Sequence, residues 1–226
     1  MRFYRGITVP IRSVPAVVDK IRAQGLLPGD GNWRVSAADL KERLEEIWRE
    51  PKVTYAATKP TVGNPGPSWV CASAEEQGAR YYACRHNKSA KNDTPILISF
   101  DAEVSDAVVD GRDFLYSAFQ LSDATRARAV LERLFGPAIL RYADRAWGCV
   151  DGDERIALCD LAVQDDAVVR AHAANKTLIA GRVGTRFRSA FLVRTPVPAA
   201  RIADVRVVED AYELPEPEVI LGSLLR

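Results

Sequence analysis

Two acids one residue apart, Glu216 and Glu218, stand at the head of an apolar run, Val219-Ile220-Leu221. In an extended strand side chains alternate faces, so Glu216, Glu218 and Ile220 point one way while Val219 and Leu221 point the other. A carboxylate held on a sheet face beside apolar residues can stabilise positive charge on a bound molecule. Pro217 has no N–H and suits a strand start or an edge. The plainer reading is a pair of solvated acids on a terminal edge strand.

Four residues elsewhere could work with such acids. Arg5 carries a planar fork suited to bidentate contact with phosphate or ribose oxygens, which Lys would not reproduce; it could equally be a strand-surface Arg paired with an acid. Gly6 breaks a strand pattern and marks the close approach of a ligand or of another backbone. Ser73 has a hydroxyl that could orient Glu218 or cap a helix. Tyr82 offers an aromatic face for stacking, although the pair Tyr81-Tyr82 also fits a core. Trp33 and Trp69, near turn-rich stretches, are further lining candidates.

Other chemistries find little support. The four cysteines (Cys71, Cys84, Cys149, Cys159) form no C-x-x-C pair, and His86 and His172 are the only histidines, so zinc-site spacing is absent. Cys84 and His86 lie two apart in an expected helix, where side chains do not face each other. With 31 Lys plus Arg against 30 Asp plus Glu, no global field draws the chain to nucleic acid or anionic lipid. A hydrophobic content of 47% is ordinary for a globular protein and allows a core. No run approaches membrane-helix length and the N-terminus does not read as a signal peptide, so the expectation is a cytoplasmic protein with reduced thiols.

The elements that must position these residues follow from pattern. Residues 2–9 predict a first strand, and 13–24 an amphipathic helix with Val14, Val17, Val18 and Ile21 on one stripe, ending at Gly25. A second helix is expected over about 37–49, from a capping-box pattern at Ser36 to Asp39, with Leu40, Leu44, Ile47 and Trp48 buried and Pro51 stopping it. Residues 59–67, rich in proline and glycine, predict an irregular loop that could close over a site. Residues 68–73 predict a strand, followed directly by a helix with Ser73 as its N-cap, and 95–100 a central strand. Residues 102–150 read as a helical elaboration, with a helix beginning at Ser122 and a stripe of Ala127, Val130, Leu131 and Leu134. Strands are expected at about 155–163, 177–183, 186–195, 202–208 and 218–223, with a helical run at 165–175. The fold class is α+β in one domain, its helices concentrated in the N-terminal two-thirds.

Three separated segments resemble the ADP-ribosyltransferase superfamily, the fold of mono-ADP-ribosylating toxins and PARP-like enzymes. Phe3-Tyr4-Arg5-Gly6-Ile7-Thr8 is similar to the family's first strand, and Gly25-Leu26-Leu27-Pro28 to the turn after its first helix. Cys71-Ala72-Ser73 stands where the family has a strand ending in Ser-Thr-Ser, of which Ser73 alone is present, and Ala79-Arg80-Tyr81-Tyr82 resembles the helix that follows. Glu216-Pro217-Glu218 matches the late Glu-x-Glu, with an unusual Pro inside it. The segments occur in family order, and 102–150 lies outside them.

The resemblance implies a split, mixed β-sheet core. It implies NAD as co-substrate, gripped by Arg5, Gly6, Ser73 and Tyr82, and no metal. Glu218 would be the catalytic acid, and Glu216 would position or activate the acceptor. The expected activity is mono-ADP-ribosyl transfer to a macromolecule, a protein (at arginine) before a nucleic acid, by a toxin- or effector-like enzyme. Two other readings stay open. One is a 2′-phosphotransferase-like or nucleic-acid-modifying member, using Arg182, Arg186, Arg188 and Arg194. The other is a catalytically degenerate module that binds a partner through 102–150.

Overall fold

The computed structural model describes residues 1–28, 33–34, 44–53, 68–86, 93–121, 124–177, 179–180, 186–187, 189–212 and 216–220. The first strand, β1 (Arg2–Pro10), leads through a short 3-10 turn into helix α1 (Val14–Gln24). Pro15 sits in the first turn of α1, where a missing N–H costs nothing. Gly25 ends the helix at φ 77°, and a Cβ there would lie 1.9 Å from the carbonyl oxygen of Val197. That close approach lets Leu26 and Val197 exchange backbone hydrogen bonds of 2.8 and 3.0 Å, which pins the turn to the connection around Val197.

A two-residue strand β2 (Trp33–Arg34) and helix α2 (Leu44–Trp48) precede β3 (Ser68–Ser73) and helix α3 (Glu76–Tyr81), which runs into a π-helical turn over Tyr82–His86. Then come β4 (Asp93–Asp101), β5 (Ala107–Val109) and five helices: α4 (Arg112–Ala118), α5 (Ala124–Phe135), α6 (Ile139–Trp147), α7 (Gly152–Ala162) and α8 (Asp166–Ala174). The chain returns to strands with β6 (Ile179–Ala180), β7 (Arg186–Phe187), β8 (Ala190–Arg194), β9 (Ile202–Val207) and β10 (Val219–Ile220).

The main sheet has the order β5-β8-β3-β1-β4-β9, with β2 added against β3, and its pairings are antiparallel. A second sheet, β10-β6-β7, contains a parallel pair between β10 and β6. Strand β4 lies between β1 and β9, and its apolar run is buried on both faces, as a near-continuous hydrophobic strand requires. One face of the main sheet carries Phe3, Val70, Ile96, Ile98, Val109, Phe191 and Val193 into the large core shared with α4–α8. The other face is covered in part by α3, whose Ala79 packs with Leu97 and Val208.

The mixed α and β content agrees with the α+β expectation, and several elements differ from it. Residues 152–162 form a helix where a strand was expected at 155–163. The run Ala157-Leu158-Cys159-Asp160-Leu161-Ala162 is buried all round, so it shows neither period, and the N-cap Asp151, which accepts from Asp153 N at 2.9 Å, marks the true start. The helical run expected at 165–175 is present as α8, and with α7 it carries helix beyond the first two-thirds of the chain. The 102–150 segment is not wholly an addition, because β5 within it is an edge strand of the main sheet. The expected 186–195 strand is two strands, broken at Ser189, which has φ 45°. The 59–67 loop, Leu40 and the Ser36–Asp39 cap lie outside the described residues.

Candidate active site at a split between strands

Strand β3 has two edges, and β8 takes one of them from Trp69 to Ser73. The other edge is divided. Ser73 pairs with Tyr4 of β1, while Trp69 pairs with Trp33 of β2. Between these two junctions lies Cys71, whose carbonyl accepts a hydrogen bond of 2.8 Å from Arg5 Nη1. A guanidinium thus stands where a continuing ladder would place a backbone N–H. The sheet is split at this point, and Arg5 bridges the split.

Gly6, the next residue, faces α3. A Cβ at this position would lie 1.9 Å from the carbonyl oxygen of Ala79 and 2.8 Å from the nitrogen of Ala83. The close approach anticipated from the sequence is therefore made by helix backbone. Ser73 is buried, and its Oγ accepts from Glu75 N at 3.0 Å. The helix begins only at Glu76 with Glu75 as N-cap, so Ser73 holds the turn leaving the strand and is not the helix cap expected from the sequence. Polar groups at a strand end often bond to the bend that follows, which displaces the helix start by two residues.

Tyr82 begins the π-helical turn and is half-buried, with its ring edge-on to Tyr81 at 5.6 Å; Tyr81 in turn lies 6.2 Å from Tyr212. Burial pushes the Tyr82 phenol well above its usual range, and the charge of Asp110 adds to this, so the ring stays neutral. The Cys71 thiol is also pushed up to about 11, by burial first and then by the charge of Asp110, with Arg5 opposing them. The charges of Asp110 and Arg5 therefore both reach Cys71, and that of Asp110 also reaches Tyr82. Neither Cys71 nor Asp110 was singled out from the sequence for this role. An acid directly after the apolar run Ala107-Val108-Val109 was the available sign, since strand ends carry functional groups.

The two acids lie on the smaller sheet. β10 begins at Val219, paired in parallel with Ile179, so Glu216 and Glu218 precede the strand and do not alternate along it as expected. Pro217, with no N–H to give a ladder, is the physical reason pairing starts after it. Glu216 is exposed. Glu218 is half-exposed and forms an ion pair of 2.8 Å with Arg133 Nη2 of α5, which also reaches Thr177 Oγ1 at 3.4 Å. Arg133 was not foreseen, because a basic residue on a helix face reads as a solvated one.

The acids and the split are joined through one junction. Ala74 N, just past Ser73, donates to the Ser189 carbonyl at 2.9 Å, and Lys176 Nζ lies 3.6 Å from Glu75. Ser189 Oγ donates to the carbonyls of His172 and Asn175, and Asn175 Nδ2 donates to the carbonyl of Arg133. The structure thus sets Arg5, Gly6 and Ser73 on adjacent strands of the main sheet, with the helix that carries Tyr82 packed over Gly6. Glu216 and Glu218 stand just before the first strand residue of the smaller sheet, where Glu218 is held by Arg133.

Other expected participants fall elsewhere. Trp69 is fully buried, with the Arg194 guanidinium 5.6 Å over its ring. Arg182 and Arg188 lie outside the described residues. The cysteines are free thiols. Among the described residues no helix is long and apolar enough to cross a membrane, and no group of three or more His, Cys, Asp or Glu could hold a metal ion. Comparison with protein-family models, curated proteins and solved structures finds no match for this chain.

Proposed function

We propose that this chain is an NAD-dependent mono-ADP-ribosyltransferase acting on a macromolecular acceptor, a protein before a nucleic acid. The observation that carries the reading is the split at Cys71, bridged by Arg5 and flanked by Ser73 and Tyr82. A guanidinium at a break in a sheet suits a pyrophosphate, which needs a planar donor fork in a cleft. A neutral tyrosine ring beside it suits a planar heterocycle. Two of the three family-like segments, 3–8 and 71–82, supply the residues around this region, which supports the reading.

In the proposed reaction the bond between nicotinamide nitrogen and ribose C1′ breaks, and its electron pair neutralises the pyridinium. Positive charge develops on the ribose. Glu218 would accept a hydrogen bond from the neighbouring ribose hydroxyl, and that bond strengthens as the charge grows. Glu216 would take the proton that the acceptor loses as its lone pair bonds to C1′. Arg133, already bonded to Glu218, would orient the carboxylate.

The Glu218–Arg133 ion pair also favours a second reading, a binding module whose acid is permanently neutralised. Nicotinamide release from NAD separates the two. The parent protein, with cell lysate as acceptor, is expected to release nicotinamide, and Glu218→Gln to lower kcat about 100-fold or more. Equal release by both proteins would remove Glu218 from the site. No release by the parent would establish the binding module.

A further inference from the structure

Helix α5 ends against the C-terminal end of α8 and the residues after it. Carbonyls in the last turn of a helix have no partner within that helix. Here Asn175 Nδ2 donates to the carbonyl of Arg133, and His172 Nδ1 lies 3.2 Å from that of Leu134. Asn175 Oδ1 accepts from Thr177 N at 2.8 Å, so the side chain also closes the turn that follows it. Thr177 Oγ1 accepts from Arg133 Nη2 at 3.4 Å, and the same Nη2 donates to Glu218 Oε2 at 2.8 Å. One amide therefore holds both ends of a ring. Its donor fixes the backbone that carries the Arg133 side chain, and its acceptor fixes the residue that meets the guanidinium.

Strand register brings Glu218 to this ring. β10 runs parallel to β6 with Val219 beside Ile179, so the residue before Val219 lies alongside the residues before Ile179. On its other side Asn175 is tied to the main sheet. Ser189 Oγ donates to the Asn175 carbonyl, and the Ser189 carbonyl accepts at 2.9 Å from Ala74 N, next to Ser73. Backbone conformation does not explain an asparagine here. Asn at a helix end usually serves the left-handed conformation, but Asn175 is extended, at φ −87° and ψ 123°. Its N–H bonds to the His172 carbonyl at 3.1 Å whatever its side chain. What the amide adds is the donor to Arg133 and the acceptor for Thr177.

Arg133 and Glu218 are both half-exposed, and long exposed side chains lose much of their pairing to rotamer entropy. A guanidinium held at its backbone and at its tip has less of that freedom to lose. We propose that Asn175 is a positioning residue for Glu218, holding the Arg133 guanidinium so that the carboxylate keeps one orientation. As a part of catalysis this rests on the transferase reading, but the hold on Arg133 can be read apart from turnover.

The experiment compares Asn175→Ala and Asn175→Ser in the full chain. Serine can still accept from Thr177 N, but its shorter side chain does not reach the Arg133 carbonyl. Nitrogen relaxation of the arginine Nε–H groups, measured by NMR, reads the hold. The Arg133 order parameter is expected above ~0.6 in the parent and below it in both variants. That of Arg128, paired with Asp144 from the same helix α5, should stay unchanged. In nicotinamide release from NAD, both variants should lower kcat about tenfold and leave KM for NAD within about twofold. Added to Glu218→Gln, Asn175→Ser should change kcat by less than about twofold, because two residues acting through one carboxylate are not additive.

An Arg133 order parameter unchanged in Asn175→Ser would overturn the proposal. So would the same loss of kcat from Asn175→Ser with and without Glu218→Gln. Impairment of Asn175→Ala alone, with Asn175→Ser like the parent, would overturn it too and reduce Asn175 to the turn before β6. No nicotinamide release by the parent would refute the transferase reading, and the Arg133 signal would then decide by itself whether Asn175 holds the arm. Release by the parent with Arg133 unmoved in both variants would do the reverse, keeping the transferase and removing Asn175.

Discussion

Arg5 does at residue scale what a strand neighbour does elsewhere in the sheet. Its bond to the Cys71 carbonyl closes an edge that β1 and β2 leave open. Charge around that edge is set by few groups, so single substitutions should be readable at Cys71, which is half-buried. With its thiol pushed up to about 11, Cys71 should alkylate slowly at pH 8, because about one thiol in a thousand is then ionised. Asp110 raises that value by disfavouring the thiolate, so Asp110→Asn should move the midpoint of the alkylation pH–rate profile downward. Iodoacetamide labelling followed by mass spectrometry reads this directly. An unchanged midpoint would mean that Asp110 does not act on the split. The pair Arg133–Glu218, half-exposed on both sides, contributes at most about 1 kcal/mol to stability and matters for orientation.

At element scale the site depends on how α3 lies against β1. Helix and strand approach so closely over Gly6 that a methyl group would collide with the Ala79 carbonyl, a backbone atom that cannot swing aside. Gly6→Ala is therefore expected to cost about 3 kcal/mol through overpacking. For a chain of this size that corresponds to a fall in Tm of roughly 6–12 °C, measurable by calorimetry. A Tm within a degree of the parent would show that α3 moves away readily. Tyr82, carried at the C-terminal end of α3, should shift with it. In the helical layer, Asp165 joins two elements, α6 and α8. It caps α8 by accepting from Ala167 N at 2.8 Å, and it accepts from Tyr142 Oη at 2.8 Å and from Arg141 at 2.6 Å. The two helices are thereby fixed to each other.

At the scale of the whole molecule, the core holds an imidazole. His172 is nearly fully buried, stacked on Phe135 at 5.0 Å and 5.3 Å from Phe191. Its Nδ1 lies 3.2 Å from the Leu134 carbonyl, so Nδ1 carries the proton, while Nε2 is buried without a partner. Burial pushes its pKa from 6.5 down to about 4. Between those values the unfolded chain binds a proton that the folded chain refuses, so stability falls as pH drops from 6.5 to 4. The size is roughly 3 kcal/mol. Asp160 acts in the opposite sense. Burial raises it from 3.8 to about 6, so the folded chain takes up its proton first and gains stability on acidification through that window. The total profile is a balance of the two, and a variant isolates one side. In denaturant titrations, the stability difference between the parent and His172→Phe should shrink by roughly 3 kcal/mol from pH 7 to pH 4. A difference independent of pH would mean that the imidazole ionises freely in the fold.

Much of this was legible in the chain itself. β1, β3, β4, β9 and α1 follow from local periodicity, caps and breakers, because each buries one face or one stripe against the same core. Those signals also placed Arg5 on the first strand and Tyr82 on the helix after β3. Where local pattern was ambiguous the tertiary structure decided. The 152–162 segment is a helix because it is packed from several sides, which erases the period that would identify it. Ala107–Val109 is a strand because β8 offers an edge, a fact about Ala190–Arg194 and not about residues 107–109. The same holds for the site. That Glu218 meets Arg133 across 85 positions, and that the Asp110 charge reaches Cys71 and Tyr82, depends on which strands become neighbours. Sequence determines what each segment can bury; long-range pairing decides which charges then share a cleft.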